Sequence, residues 1–342
     1  MTSTTFRVGL LAYGAIGHEH NLAVQHTDGL ALVAVCDSNP ERVVAAKELA
    51  PEARGFADAT EMLDAGVLDL VVVSTPPNSH YRWAKDALER GIHVVLEKPM
   101  ALTADQCDEL MAIAAARELL LVVYQNRRYD NDFVTMRELI SSGVIGEVYH
   151  YDSFVGGYSR PCDYWHSNAE VSGGAIFDWG SHLIDQILTI LPDDVAHVSG
   201  MNHKRVWTHA TNADHSHVTI TFASGKQATF VFSDLAAARK PKFYVLGTQG
   251  AIVGEWNPAA EPAVADLPAL LTVYSADGTS RHVPLPEREP YGFHRSIVAF
   301  LTEGTPMEVS APQSRDVVAI MESAERSATQ NGLPVTPTLL RS

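Results

Sequence analysis

The stretch RVGLLAYGAIGHEH, residues 7–20, decides how the chain is read. Its first six residues, RVGLLA (7–12), are rich in apolar side chains and predict a buried strand. That strand runs straight into Ala12, Gly14 and Gly17, which hold the three small-residue positions of a dinucleotide-binding turn. A turn this tight aims backbone N–H groups and a helix N-terminus at a pyrophosphate. Ala12 stands where such turns ordinarily have their first glycine, and the three positions alone are weak evidence, because any strand-to-helix turn can contain them. Context adds the weight. The next apolar run, LALVAVCD (30–37), ends in Asp37, where a carboxylate can accept both ribose hydroxyl hydrogens and repel a 2'-phosphate.

Outward from this point the pattern repeats. LDLVVVST (68–75), IHVVLEK (92–98) and LLLVVYQ (119–125) read as further strands, separated by helical segments that begin near Gly17, Pro40, Ala59, Ser79 and Thr103. Thr103 is the expected N-cap of the last, with Gln106 completing a capping box. Alternation of this kind marks βαβ units and a parallel sheet. From about residue 146 the strands lengthen: EVYHYDSFVG (147–156), HVTITFASG (217–225) and KQATFVFSD (226–234), the last two joined at a Ser224-Gly225 turn, then KFYVLGT (242–248) and LLTVYS (270–275). Helices are expected over 131–142, 178–191, 291–303 and 312–330, and NPAAEPAVADLPAL (257–270) reads as a loop. The expected fold is α/β: a doubly wound parallel sheet of Rossmann type over 1–123, then an α+β domain over 124–342 with a large open, mostly antiparallel sheet. The helix at 312–330 is expected to pack back on the first domain.

Composition narrows the function. A chain of 342 residues exceeds one ordinary core, so two domains are the default. Asp plus Glu number 41 against 25 Lys plus Arg, a net charge of -16, which disfavours nucleic acid and anionic membranes as partners. Small anions are still allowed, since local dipoles override the global field. Cys36, Cys107 and Cys162 have no metal-type spacing and suggest a reducing compartment. With no signal-like start and no apolar run of 18 residues, a cytoplasmic protein is expected.

Three stretches carry chemistry. STPPNSH (74–80) stops its strand at Pro76 and Pro77, lets Asn78 or Ser79 cap the next helix, and leaves Thr75 and His80 to meet a ligand over the strand ends; His80 reads as a local hydrogen-bonding residue rather than a base. LEKPM (96–100) sets Glu97, Lys98 and Pro99 at the carboxyl edge of the sheet, where ligands of such folds lie, and a salt bridge from Lys98 is the competing explanation. FDWGSHLIDQ (177–186) puts Asp178 and His182 four apart on one helix face behind Gly173-Gly174. Its competing reading is a capping Asp178 and a solvent-facing His182. In ATNADHSHVTITF (210–222), alternation puts His215 and His217 on one strand face beside Asp214, but with no further ligand a metal is not expected.

Together AYGAIG, Asp37, STPPNSH, EKP, YQNRRYD (124–130) and GGAIFDWGSHLIDQ (173–186) make the chain resemble the Gfo/Idh/MocA family of NAD(P)-dependent oxidoreductases over nearly its whole length. EKP (97–99) followed by D-x-G-x-H (178–182) is the most specific element, and YQNRRYD with GGxxxDxGxHLIDQ looks like the inositol and sugar dehydrogenase branch. The resemblance implies substrate held between the two domains, an open sheet that forms dimers or tetramers, Lys98, Asp178 and His182 as the catalytic set, and a cis peptide at Pro99. The dinucleotide is then expected against Ala12, Gly14, Ala15, Ile16, Gly17, Asp37, Ser74, Thr75, Pro76, Asn78, His80, Glu97 and Lys98, with NAD preferred to NADP because of Asp37 and Arg42 partly offsetting that charge. Substrate is expected against Asn126, Tyr158, Arg160, Trp165, His166, Asp178 and His182. GGYSRPCDYWHSNAEVSGG (156–174) departs from the branch, having His166 where inositol-type relatives tend to carry arginine, so the substrate is open. The expected reaction passes a hydride between a secondary alcohol of a cyclic polyol or sugar and NAD. His182 or Lys98 serves as base, Lys98 also steadies the alkoxide, and Asp178 orients. The alternatives are glycoside hydrolysis through transient oxidation by bound NAD, and a dinucleotide sensor, which would tend to lose the lysine or histidine.

Overall fold

The computed structural model describes residues 4–260, 267–287 and 289–340. Residues 261–266 of the expected loop lie outside that range.

Strands whose residues are apolar without interruption must be covered on both faces. Val71, Val94 and Val95 are fully buried, in β4 (Leu70–Val73) and β5 (His93–Leu96). With β1 (Phe6–Leu11), β2 (Leu30–Cys36), β3 (Arg54–Phe56) and β6 (Leu121–Val123) they form a parallel sheet in the order β3-β2-β1-β4-β5-β6. This is the doubly wound order, in which the sequence of strands reverses between β1 and β4 and opens a crevice at their carboxyl ends. The edge strand β3 escaped the sequence reading because it has three residues, two of them exposed. Helices Ala15–Gln25, Pro40–Leu49, Ala59–Asp64, His80–Glu89 and Ala104–Ala116 complete the crossovers. Thr103 Oγ1 accepts the Gln106 N–H at 3.2 Å, while Gln106 Oε1 returns to the N–H of Leu102 at 3.3 Å, one residue short of the usual box.

This unit is discontinuous. Met1–Gln125 group with Glu289–Arg315, and Asn126–Arg288 with Asp316–Ser342. The returning element is helix Gly292–Glu303, whose Phe293 and Ile297 are buried and whose Val298 lies where a side chain on Gly29 would stand, 2.9 Å away. The helix expected at 312–330 joins this unit only at its start, where Arg315 Nε and Nη2 donate to the two carboxylate oxygens of Asp108 at 2.8 and 2.9 Å. From Asp316 onward helix Ala311–Thr329 belongs with the second unit, because its small residues admit the strand Val195–His203 closely: a Cβ on Gly200 would fall 2.2 Å from the Ala324 carbonyl oxygen, and the Gly200 N–H donates to Ser327 Oγ at 2.9 Å.

The second unit is built on β7 (Val148–Gly156), β8 (Val195–His203), β9 (His215–Phe222), β10 (Gln227–Ser233), β11 (Phe243–Gly247), β12 (Gly250–Glu255), β13 (Leu270–Ser275) and β14 (Ser280–Val283). Their order is β14-β13-β12-β11-β7-β10-β9-β8, antiparallel throughout except where β10 runs parallel to β7. Helix Ala175–Ile190 lies against one face, so close that a Cβ on Gly180 would come 3.0 Å from Phe230 Cε1. On the other face the register aligns Met201, His217, Val231, Phe154, Asp152, Tyr244 and, through Leu246 and Ala251, Tyr274. Met201, Tyr244 and Tyr274 are 37, 39 and 45% exposed, an apolar content out of keeping with a solvated surface. Among the described residues no helix is long and apolar enough to cross a membrane.

Candidate active site

In the first unit, Ala12 occupies the left-handed region (φ 73°), which is why a glycine is ordinary there. The turn is held regardless, because Ser74 Oγ donates to the Ala12 carbonyl at 2.9 Å. Gly17 is required by packing, since a Cβ there would sit 2.8 Å from the Ala12 carbonyl oxygen. Gly14 is different: a Cβ would meet nothing within 4 Å, and helix Ala15–Gln25, which opens Ala15, Ile16, Gly17, has no side-chain cap. An open space in front of an uncapped helix N-terminus fits a dinucleotide pyrophosphate.

Asp37 is buried just past the end of β2, and its carboxylate is already engaged. Its Oδ2 accepts the Tyr13 N–H and its Oδ1 the Asn39 N–H, both at 2.8 Å, so the carboxylate ties the Gly-rich turn to the second strand. Arg42 Nη1 stands 3.6 Å from the same Oδ2. Each carboxylate oxygen keeps a lone pair for a hydroxyl hydrogen.

STPPNSH and EKP meet through His80. The ring is fully buried, with Nδ1 2.7 Å from the Pro99 carbonyl oxygen and Nε2 2.7 Å from that of Thr75. Burial pulls this imidazole below its ordinary range against the pull of both carbonyls. It is a fastening between two turns. Pro76 is half-buried and Asn78 exposed on that turn. The expected cap from Ser79 is not made: its hydroxyl donates to the Pro76 carbonyl and to Thr75 Oγ1, and helix His80–Glu89 starts without a side-chain cap. The Lys98–Pro99 peptide is cis, Lys98 is half-buried, and Glu97 beneath it is buried.

In the second unit, helix Ala175–Ile190 starts three residues before the expected position because Gly173 (φ 86°) and Gly174 (φ 100°) turn the chain at positive φ just ahead of it. Gly174 is the N-cap and no side chain caps the helix, so Asp178 does not do so. His182 is 6% exposed rather than solvent-facing. Both halves of the competing reading therefore fail. Asp178, with 28% of its side chain exposed, has His166 Nδ1 3.9 Å from its Oδ2, and His166 stacks on Trp165 with centroids 3.7 Å apart. Asn212 Nδ2 donates to the His166 carbonyl at 2.6 Å and holds that stretch in place. Trp179 lies 5.8 Å from the His182 ring. Asn126 Oδ1 is buried with no partner among the described residues, a vacant acceptor at the start of YQNRRYD's turn.

Two expected substrate residues are otherwise engaged. Arg160 forms a two-pronged pair with Asp163 at 2.8 and 2.7 Å, and Tyr158, 59% exposed, stands edge-on to Trp207 at 6.0 Å. Asp214 likewise accepts from Lys204 and from the N–H groups of Arg205 and Val206; these overcome burial and lower its carboxyl to about 2. Among the described residues no group of three or more His, Cys, Asp or Glu is placed to hold a metal.

The sequence reading missed Asp234, at the end of β10. Burial, then the charge of Asp214, raises its carboxyl to about 7 against a bond from Ser159, with Asp178 adding to the rise. A folded value above the unfolded one, about 3.9, means that ionising Asp234 costs stability as pH rises through the interval between them. Asp234→Asn is expected to raise Tm at pH 8, with the gain shrinking toward pH 4; thermal melts giving the same increment at both ends would refute this. It also missed Arg128 and Asp185, whose buried pair seats YQNRRYD on helix Ala175–Ile190. A carboxylate among Leu183, Ile184 and Ile187 was the available signal, since a charge on an apolar helix face needs a buried partner.

Residues 6–125 match the family described as oxidoreductase, NAD-binding Rossmann fold, and residues 133–253 match the GFO/IDH/MocA C-terminal domain. The chain is similar to the scyllo-inositol 2-dehydrogenase (NADP(+)) IolW of Bacillus subtilis, at 28% identity over 95% of this chain and 94% of that protein. It is 31% identical to the uncharacterized oxidoreductase YdgJ of Escherichia coli over 73% of this chain and 71% of the other. Among solved structures, an NAD-binding protein from Listeria innocua superposes with a TM-score of 0.85 at 26% identity, covering 98% of this chain and 97% of that one.

Proposed function

Because the chain belongs to the GFO/IDH/MocA family of oxidoreductases, with an NAD-binding Rossmann fold, we propose that it transfers a hydride between a secondary alcohol of a cyclic polyol or sugar and NAD. The observation that carries this reading is the buried His182 one helical turn from the half-exposed Asp178, behind two positive-φ glycines that let backbone approach a ligand. When bound, the nicotinamide supplies the hydride acceptor. His182 takes the hydroxyl proton as general base. Asp178 and His166 receive the remaining hydroxyls, and Lys98 steadies the oxygen as charge develops on it. Ala12 to Gly17 hold the pyrophosphate, and Asp37 the adenosine ribose.

Screening inositols and aldopyranoses for reduction of free NAD tests the reading. Net NADH formation is expected with at least one. It separates a dehydrogenase from a hydrolase that recycles its bound cofactor and from a sensor; no reduction across the panel would count against the proposal.

NAD is preferred to NADP in this reading. Asp37→Ser is expected to lower kcat/KM for NAD and narrow the gap between the cofactors, and to cost some stability through the lost bonds to Tyr13 and Asn39. Arg42 reduces the preference without reversing it. Equal kcat/KM for the two cofactors in the wild type would overturn this.

A homo-oligomer joined through the open sheet face is also expected, because Met201, Tyr244 and Tyr274 are covered only if another surface lies on them. Light scattering returning 37.2 kDa across the micromolar range would exclude it.

A further inference from the structure

Behind the Lys98 turn runs a hydrogen-bond chain drawn from three distant stretches of sequence. His20, on the helix that follows the Gly-rich turn, has Nε2 3.0 Å from Glu97 Oε1 and Nδ1 3.0 Å from His294 Nε2. The other Glu97 oxygen accepts the Lys98 N–H at 3.2 Å. His20, His294 and Glu97 are 0, 2 and 7% exposed, and Tyr124 closes the site with its ring 4.5 Å from His20 and 4.8 Å from Phe293.

The acceptors fix the direction of the chain. A carboxylate oxygen only accepts, so His20 Nε2 carries a proton. Burial, and next to it the His20 ring, hold His294 well below the ordinary imidazole range, so it is neutral with one N–H. His294 Nδ1 has no partner among the described residues. A buried donor without an acceptor is costly, so the proton sits on Nε2, facing His20 Nδ1. The order is therefore His294 to His20, His20 to Glu97, with Glu97 gripping the main chain of Lys98. Apolar residues would fill the same volume without desolvating three polar groups.

We propose that His20 and His294 are positioning residues for the reaction: they fix Glu97, and Glu97 fixes the peptide from which the Lys98 side chain projects. The proposal rests on the reading that Lys98 acts in hydride transfer; its structural half does not.

The test compares the full-length wild type with His294→Gln, which keeps an N–H where Nε2 stands, and His294→Leu, which removes it. Hydrogen exchange at the Lys98 amide is read first, without substrate. It is expected to be at least about tenfold faster in the Leu variant and within about threefold of wild type in the Gln variant. With a polyol from the screen, the Leu variant should lose roughly 10- to 100-fold in kcat, while KM for the polyol holds; Gln should restore most of it. A Leu variant that loses only Tm, keeping amide protection and kcat, overturns the proposal, as do Leu and Gln variants with the same kcat and exchange. If His294→Leu does not fold, His294→Phe fills the aromatic box without a donor and takes its place. Should wild type oxidise no polyol, the functional reading fails while the amide exchange still decides the positioning chain.

Discussion

His182→Ala is expected to lower kcat by about two to four orders of magnitude while the protein still titrates with NADH. The imidazole is buried on the helix that presents Asp178, and the contacts proposed for the dinucleotide come from the other unit. Loss of the proton acceptor therefore slows hydride transfer without emptying the cofactor site. Lys98→Ala should lose comparable rate and also weaken NADH binding, because its turn is part of the expected cofactor site. Asp178→Asn keeps shape and removes charge, so an intermediate loss with a raised KM for the polyol is expected. Stopped-flow single turnovers with a substrate from the screen distinguish these variants. A kcat within about threefold of wild type for His182→Ala would remove it from the mechanism. Gly174, not Asp178, is the N-cap of the helix, so replacing Asp178 should not show the stability loss of about 0.5 to 2 kcal/mol typical of a lost N-cap.

The largest loss of stability is expected at Arg128. Its Nε and Nη2 each lie 2.6 Å from an oxygen of Asp185, with 4 and 2% of the two side chains exposed. Removing one member takes this charge partner from the other, which stays desolvated, so Arg128→Ala should lose about 3 to 5 kcal/mol in denaturant unfolding. Replacing both, as Arg128→Met with Asp185→Leu, should return most of that loss, because the desolvation of two charges disappears with the pair. Asp185 is three residues from His182, and Gln186 Nε2 donates to the Arg127 carbonyl at 3.1 Å, so the double variant should fold yet let the helix shift and lower kcat. A single variant that loses less than about 1 kcal/mol would show the pair is not the anchor of this helix.

The parallel sheet was legible because LVVV-type runs have only one stable environment, buried on both faces. Strands β8, β12 and β14 were not: VAHVSGMNH interleaves polar residues with glycine, GAIVGE begins and nearly ends in glycine, and SRHV is mostly exposed. Their strand character comes from neighbours that complete the ladder. The same division runs through the site. Asp178 and His182 could be paired from spacing alone, since the helix itself sets their proximity. Arg160 was expected on substrate, but Asp163 three residues on takes both prongs of its guanidinium, a local contact that composition cannot rank against a ligand. Asp185 and Asp234 owe their character to partners far away in sequence, Arg128 and Asp214, which only the folded chain brings together.

The discontinuity of the first unit bears on how the protein is made. Helix Gly292–Glu303, with Phe293 and His294, leaves the ribosome only after the intervening residues 126–288. At about 5 to 20 residues per second, that stretch takes on the order of 10 to 30 s to synthesise. Throughout that interval the nascent Rossmann sheet waits with His20 and Tyr124 uncovered, unable to reach its final packing. Translation speed and chaperone supply, rather than codon-independent stability alone, should then govern the yield of active protein in a foreign host, and slowing synthesis across the second half of the gene lengthens the exposure rather than relieving it.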